Sequence, residues 1–231
     1  MKLDHVVYFT QKEPTQVVEE QQADGHHAIV GGRHEKWGTY NALLHTKNAY
    51  IEWLSVEKKE VAEQADHPLT KLLLYDLKKG DNWGTICLSV KGIEQFNQEV
   101  ENKGFSTSGV LNAERKTNDG KLLKWKMLFV DQEVSNELPY PFFIEWEEEQ
   151  VTRFAKLRED GILSVENEQL EIKECIFNVQ DPLRDMAEWA ILLSQKVGNA
   201  NHITLSNVVL KFVAHNGEKD RLTEVVIGQT D

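Results

Sequence analysis

The chain predicts an α+β fold: paired βαβββ modules forming a cup-shaped mixed sheet, plus a third, degenerate βαβββ module. Three observations lead there. The first is a repeated strand. Tyr50-Ile51-Glu52-Trp53-Leu54-Ser55-Val56 returns as Phe142-Phe143-Ile144-Glu145-Trp146-Glu147, with the same Ile-Glu-Trp core, and more faintly as Leu222-Thr223-Glu224-Val225-Val226-Ile227. The second is the make-up of each run, apolar, β-branched and aromatic around one carboxylate, which is a strand pattern. A carboxylate there is costly to bury unless a cation, a metal or donors lie beside it. Each copy is therefore expected to place one Glu on the inner face of a sheet. The third is the order strand, helix, strand, strand, strand, met three times.

Taken in order, 3–9 reads as a strand in which Leu3, His5, Val7 and Phe9 alternate with Asp4, Val6 and Tyr8. Pro14 opens a helix through Ala23, stopped near Gly25, because proline is tolerated in a helix's first turn. Strands are expected at 27–31, 40–45 and 50–56, with a polar loop at Gly32-Arg33-His34-Glu35-Lys36-Trp37-Gly38. An acidic connection then leads to a helix from Pro68 carrying Leu69, Leu72, Leu73 and Leu77. After Gly80 the order restarts: a strand at 85–90, a helix at 93–103, a hairpin and the Glu145 strand. Asn118-Asp119-Gly120 marks that hairpin, between 109–115 and 121–130. Residues 150–160 read as a charged linker or short helix. The third unit follows as a strand at 171–179, a helix from Asp181-Pro182 through Lys196, and strands at 203–205, 208–214 and 222–227. This divides the chain into 1–150, with modules at about 1–56 and 84–148, and a third module at 162–231. One βαβββ unit cannot bury its sheet alone, so two pair into a cup. The third needs another partner, either a second subunit in a homodimer or this chain's own surface.

Composition narrows the function classes. With 231 residues, 40% hydrophobic, the chain is long enough for a sizeable core. No run approaches the roughly 18 apolar residues of a membrane span, and Met1-Lys2-Leu3-Asp4-His5 carries no signal-peptide pattern. A net charge of -12 argues against nucleic-acid or anionic-membrane partners. Cys87 and Cys175 sit within strand runs, as buried thiols of a cytoplasmic protein would.

The segment Gly32-Arg33-His34-Glu35-Lys36-Trp37-Gly38-Thr39-Tyr40-Asn41, with Arg115, Asp119-Gly120, Leu123-Lys124-Trp125 and Phe143-Ile144-Glu145-Trp146, resembles the glyoxalase-like branch of the vicinal oxygen chelate superfamily. The resemblance covers residues 1 to about 150. It implies a cup that holds a divalent metal, Zn, Mn, Fe or Ni, at the first and last strands of each module. Carried over, the ligands are His5, Glu52 and Glu145, with Thr85 at the fourth position and Cys87 on the same face as its substitute. One imidazole and two carboxylates suit such an ion. The ion would polarise vicinal oxygens of a small oxygenated molecule while Glu145 or Glu52 shuttles a proton. Arg33, His34, Trp37 and Asn41 would sit at the rim as substrate contacts. Without metal, the two carboxylates would repel unless a cation such as Arg33 or Lys126 lay nearby. Two functions follow: a metal-dependent lyase, isomerase or dioxygenase-type enzyme, and a metal-free protein that sequesters a small ligand. Trp53, Trp125 and Trp146 read as core packing.

Overall fold

The computed structural model describes residues 1–116, 122–196 and 201–230, so the Asn118-Asp119-Gly120 hairpin turn lies outside the described residues. The first unit runs β1 (Lys2–Phe9), α1 (Pro14–Ala23), β2 (Ile29–His34), β3 (Thr39–His45) and β4 (Tyr50–Val56). Two connecting helices follow, α2 (Lys59–Gln64) and α3 (Pro68–Asp76). The second unit is β5 (Asn82–Ser89), α4 (Ile93–Asn102), β6 (Leu111–Lys116), β7 (Leu122–Leu128) and β8 (Phe142–Trp146). Helix α5 (Gln150–Glu159) leads to the third unit: β9 (Leu170–Val179), α6 (Pro182–Leu192), β10 (His202–Thr204), β11 (Val209–Ala214) and β12 (Arg221–Gln229).

The first two units form one eight-stranded sheet in the order β2-β3-β4-β1-β5-β8-β7-β6. It is palindromic. In each unit the last strand lies parallel to the first, and β1 and β5 meet antiparallel at the centre. The sheet curls into a half-barrel whose two faces bury separate cores. The outer face carries Leu3, Val6, Leu44, Ile51, Ile86, Leu88 and Phe143, and the inner face Val7, Phe9, Leu54, Cys87, Met127, Phe142 and Ile144. Strand β2 runs through Gly32, Arg33 and His34, expected as loop, with an irregular register between Val30 and Arg33.

A register shift between Leu3 and His5 changes the expected alternation of β1. A bulge lets consecutive residues share a face. Leu3 therefore joins Val6 on the outer core, while Asp4 turns inward beside His5.

The third unit keeps the element order of the other two, but its sheet runs β10-β11-β9-β12. Its last strand crosses to the far edge of β9 and pairs antiparallel there. This is the sense in which the module is degenerate. It docks on the chain's own outer face. Trp189 of α6 meets Phe177 at a tilt and Phe212 edge-on, and these residues join Leu3, Val6, Ile86 and Phe143 in one core. Asn207 clamps both backbone groups of Leu3, and Asn48 bonds both backbone groups of Ile172. Glu174 pairs with Lys211 and Glu224 is exposed, so among the described residues this unit gathers no inward acid cluster.

Helix α3 lies in the cup, with Leu72 and Leu73 packed among Val7, Phe9, Leu54 and Phe129. Its C-terminal Asp76 is fully buried and bound by Arg221 of β12, which ties the filling of the cup to the third unit. No described helix is long and apolar enough to cross a membrane.

Candidate functional site

Four buried polar side chains converge on the inner face: Asp4, His5, Asn41 and Glu52. The bulge in β1 supplies the first two, and β3 and β4 the others. His5 Nδ1 lies 2.9 Å from Asp4 Oδ1, and His5 Nε2 lies 3.5 Å from Glu52 Oε2. An ionised carboxylate only accepts, so His5 must donate from Nδ1 to Asp4, and Nε2 faces Glu52. The ring stacks on Tyr50 at 4.4 Å and meets the edge of Phe142 at 5.4 Å.

Burial by itself would raise the Asp4 pKa. The charge of Arg153 and hydrogen bonds from His5 and Trp146 outweigh it, and hold the group below the usual carboxylate range. Trp146 Nε1 and one Arg153 amino group donate to Asp4 Oδ2 at 3.0 and 3.2 Å. The guanidinium lies 4.2 Å over the Trp146 ring, and its Nε and other amino nitrogen are buried without an acceptor.

Glu52 Oε1 accepts from Asn41 Nδ2 at 2.5 Å. The Asn41 amide cannot be reversed, because its Oδ1 accepts the Gly32 N–H at 2.7 Å. Gly31 makes room for this: a Cβ there would stand 2.0 Å from Asn41 Oδ1. Cys87 is cross-strand partner to His5, and burial pushes its thiol pKa well up.

Glu145 is not at this site. Its carboxylate accepts from the backbone N–H groups of Gly92 and Ile93 at 2.5 and 3.2 Å and so caps the N-terminus of α4 on the outer face. The reason is register. His5 pairs with Tyr50 as Cys87 pairs with Phe142, which makes Ile144 the counterpart of Glu52. The two Ile-Glu-Trp runs are out of phase by one residue, and one residue reverses the face.

The other expected site residues disperse. Thr85 donates its hydroxyl to the Tyr140 carbonyl at 3.3 Å. Arg33 points to solvent and pairs with Glu57 at 2.8 Å, and Lys126 pairs with exposed Glu94. Neither cation lies between the carboxylates. His34 bonds Thr39, and Trp37 stacks at 4.0 Å on His67, the residue that opens α3. His67 is buried with Nε2 unpartnered, and burial pushes its pKa down to about 3. Only Asn41 of the four rim candidates touches the cluster. Trp125 and Trp146 are half-buried, 5.4 Å from each other, and pack against the inner-face core to which α3 contributes Leu72 and Leu73. Asp4, Arg153 and His67 had no sequence signal beyond the adjacency of Asp4 to His5.

Paired βαβββ units closing a half-barrel, with an imidazole and a carboxylate on its inner strands, define a protein of the vicinal oxygen chelate superfamily. The chain belongs to the glyoxalase-like domain family, which matches residues 3–193. It is similar in fold to a hypothetical protein from Staphylococcus aureus, with 22% identity over 98% of this chain and 90% of that one, at a TM-score of 0.80. Methylmalonyl-CoA epimerase from Mycobacterium tuberculosis matches at 13% identity over 66% and 91%, at a TM-score of 0.45. A variant of the Streptomyces coelicolor epimerase in complex with 2-nitronate-propionyl-CoA matches at 14% identity over 62% and 94%, at a TM-score of 0.43. No curated protein shows a significant match.

Proposed function

We propose that the chain transfers a proton on a small oxygenated molecule held against the inner face, in an isomerase- or lyase-type reaction run by the His5–Glu52 pair. The observation that carries this reading is the line Asp4–His5–Glu52, with contacts of 2.9 and 3.5 Å. Asp4 fixes the ring tautomer and orients Nε2 at Glu52. Asn41 holds the other Glu52 oxygen, leaving Oε2 as the base. Glu52 takes a proton from a carbon next to a carbonyl. Where the carbon carries a hydroxyl, returning the proton to the former carbonyl carbon, while His5 Nε2 relays the hydroxyl proton to the carbonyl oxygen, isomerises the molecule; expulsion of a leaving group from the carbon β to the carbonyl is elimination. The half-buried Trp125–Trp146 pair supplies an apolar wall beside these polar groups.

The superfamily implies a divalent ion, Zn, Mn, Fe or Ni, and the donor set does not fit one. Ile144 stands where a second carboxylate is needed, and Thr85 is engaged with a carbonyl. Asp4, His5 and Cys87 do cluster within 4.8 Å. Asp4, however, already accepts from His5, Trp146 and Arg153, and His5 presents to it the nitrogen that carries the proton. No step is therefore derived through a metal.

A metal-free binding protein is the second reading, favoured by the aromatic wall and by α3 lying across the cup. The two separate by incubating the protein in D2O and EDTA with small α-hydroxycarbonyl and dicarbonyl compounds. Deuterium should enter the carbon next to the carbonyl, with the rate falling about 100-fold or more in Glu52→Gln. Saturable binding without deuterium incorporation would leave the binding reading in its place.

A further inference from the structure

Where the C-terminal end of α3 meets the third unit, the ends of β1 and β5 face β12 across a cleft of about 470 Å³. Tyr8 and Trp83 form its wall, ring centroids 5.0 Å apart and nearly perpendicular. Lys79, Lys219 and Arg221 bring three cations to it, against the carboxylates of Asp76 and Asp81. Both acids are taken. Asp76 binds Arg221 Nε at 2.9 Å and Lys219 Nζ at 2.6 Å, and Asp81 accepts from Thr10 and the Gln11 N–H at 2.5 and 2.8 Å. The remaining Arg221 donors go to the carbonyls of Ser135, Glu137 and Asp220. The ammonium groups are not used up. Lys219 has further donors beyond its Asp76 bond, and Lys79 is exposed with no ion pair among the described residues. An excess of positive charge in a chain of net charge -12 is a local feature that needs a reason.

Asn82 adds an independent one. Its Nδ2 donates to the Gly80 carbonyl at 2.8 Å, which fixes the amide, and its Oδ1 is buried without any donor. Buried acceptors without a partner are rare. Burial also pushes the Lys219 pKa down, with Arg221 acting in the same sense and Asp76 opposing them, so an anion in the cleft would relieve that ammonium.

We propose that this cleft is a second ligand site, taking a small planar anion that also carries an N–H or O–H donor. The ring lies against Tyr8 and Trp83, the anionic group sits between Lys79 and Lys219, and the donor meets Asn82 Oδ1. The site shares no residue with the inner cluster, so it stands or falls apart from the proton-transfer reading.

The test is a titration of the full chain with indole-3-carboxylate, followed by backbone amide NMR. Saturable shifts are expected at Trp83 and Thr223 and not at Asn41 or Glu52. The isosteric 1-benzothiophene-3-carboxylate, which lacks the N–H, should bind about tenfold more weakly, because Asn82 stays unpaired. Lys79→Glu, at an exposed position that leaves the fold intact, should weaken indole-3-carboxylate about tenfold or more. The proposal is overturned by an absence of saturation into the millimolar range, by shifts centred on the cup, or by equal affinity in Lys79→Glu.

Discussion

At Asp4 two large effects oppose each other. Burial disfavours the carboxylate, while Arg153, His5 and Trp146 favour it, and the second set wins. A folded-state pKa below the ordinary 3.8 means the unfolded chain binds more protons as pH falls. The stability that Asp4 contributes is thus present above about pH 4 and lost as pH drops through the folded value. Asp4→Asn leaves Arg153 buried beside a neutral amide, and breaking such a pair costs about 3–5 kcal/mol. The variant should therefore melt lower at pH 7, with a flatter loss of stability between pH 4 and 2. A variant as stable as wild type, with an unchanged acid limb, would show that Asp4 is not ion-paired. Asp4 could not be found from alternation, because a bulge is a property of two strands together. Strand β1 read alone places Leu3 inward and Asp4 outward. Glu145 failed for a related reason: the repeated Ile-Glu-Trp run is visible in one dimension, but its face depends on register against β5.

At the scale of elements, α3 was legible as a helix from Pro68 and its leucine spacing, but not as the filling of the cup, since the residues it packs against there, Val7, Phe9, Leu54 and Phe129, are distant in sequence. His67 seats its first turn under Trp37. Its folded pKa of about 3 lies far below the ordinary 6.5, because burial, and then the nearby His34, disfavour the imidazolium. Between those values the unfolded chain holds the extra proton, so stability declines as pH falls from about 6.5. The slope reaches about 1.4 kcal/mol per pH unit, and this loss is absent above pH 6.5. Hydrogen exchange should show the α3 amides opening earlier at pH 5 than at pH 7. His67→Phe, which keeps the stacking and removes the titration, should abolish that difference. Equal acceleration in wild type and variant would mean that another group drives it.

Across the whole molecule, the βαβββ order was readable three times over, because alternation and Pro and Gly punctuation are local signals. The destination of the third unit was not. Of the two partners open to it, a second subunit or this chain's own surface, it takes the second, covering the outer face in cis through Asn207, Asn48 and the buried Arg221–Asp76 pair. What the assembled chain then presents inward is one imidazole and two carboxylates from the first module, Asp4 already bound by His5, Trp146 and Arg153, facing a thiol and an isoleucine from the second. The proposed proton transfer by His5 and Glu52 without an ion rests on that asymmetry. An ion bound at 100 times its Kd would add about 2.7 kcal/mol, several degrees of melting temperature for a chain this long. The most direct measurement is therefore thermal melting of wild type and Glu52→Gln in EDTA and again with Mn, Ni or Zn. Melting temperatures unchanged by metal in both proteins are the expected result. A metal-induced rise of several degrees in wild type that vanishes in Glu52→Gln would contradict it.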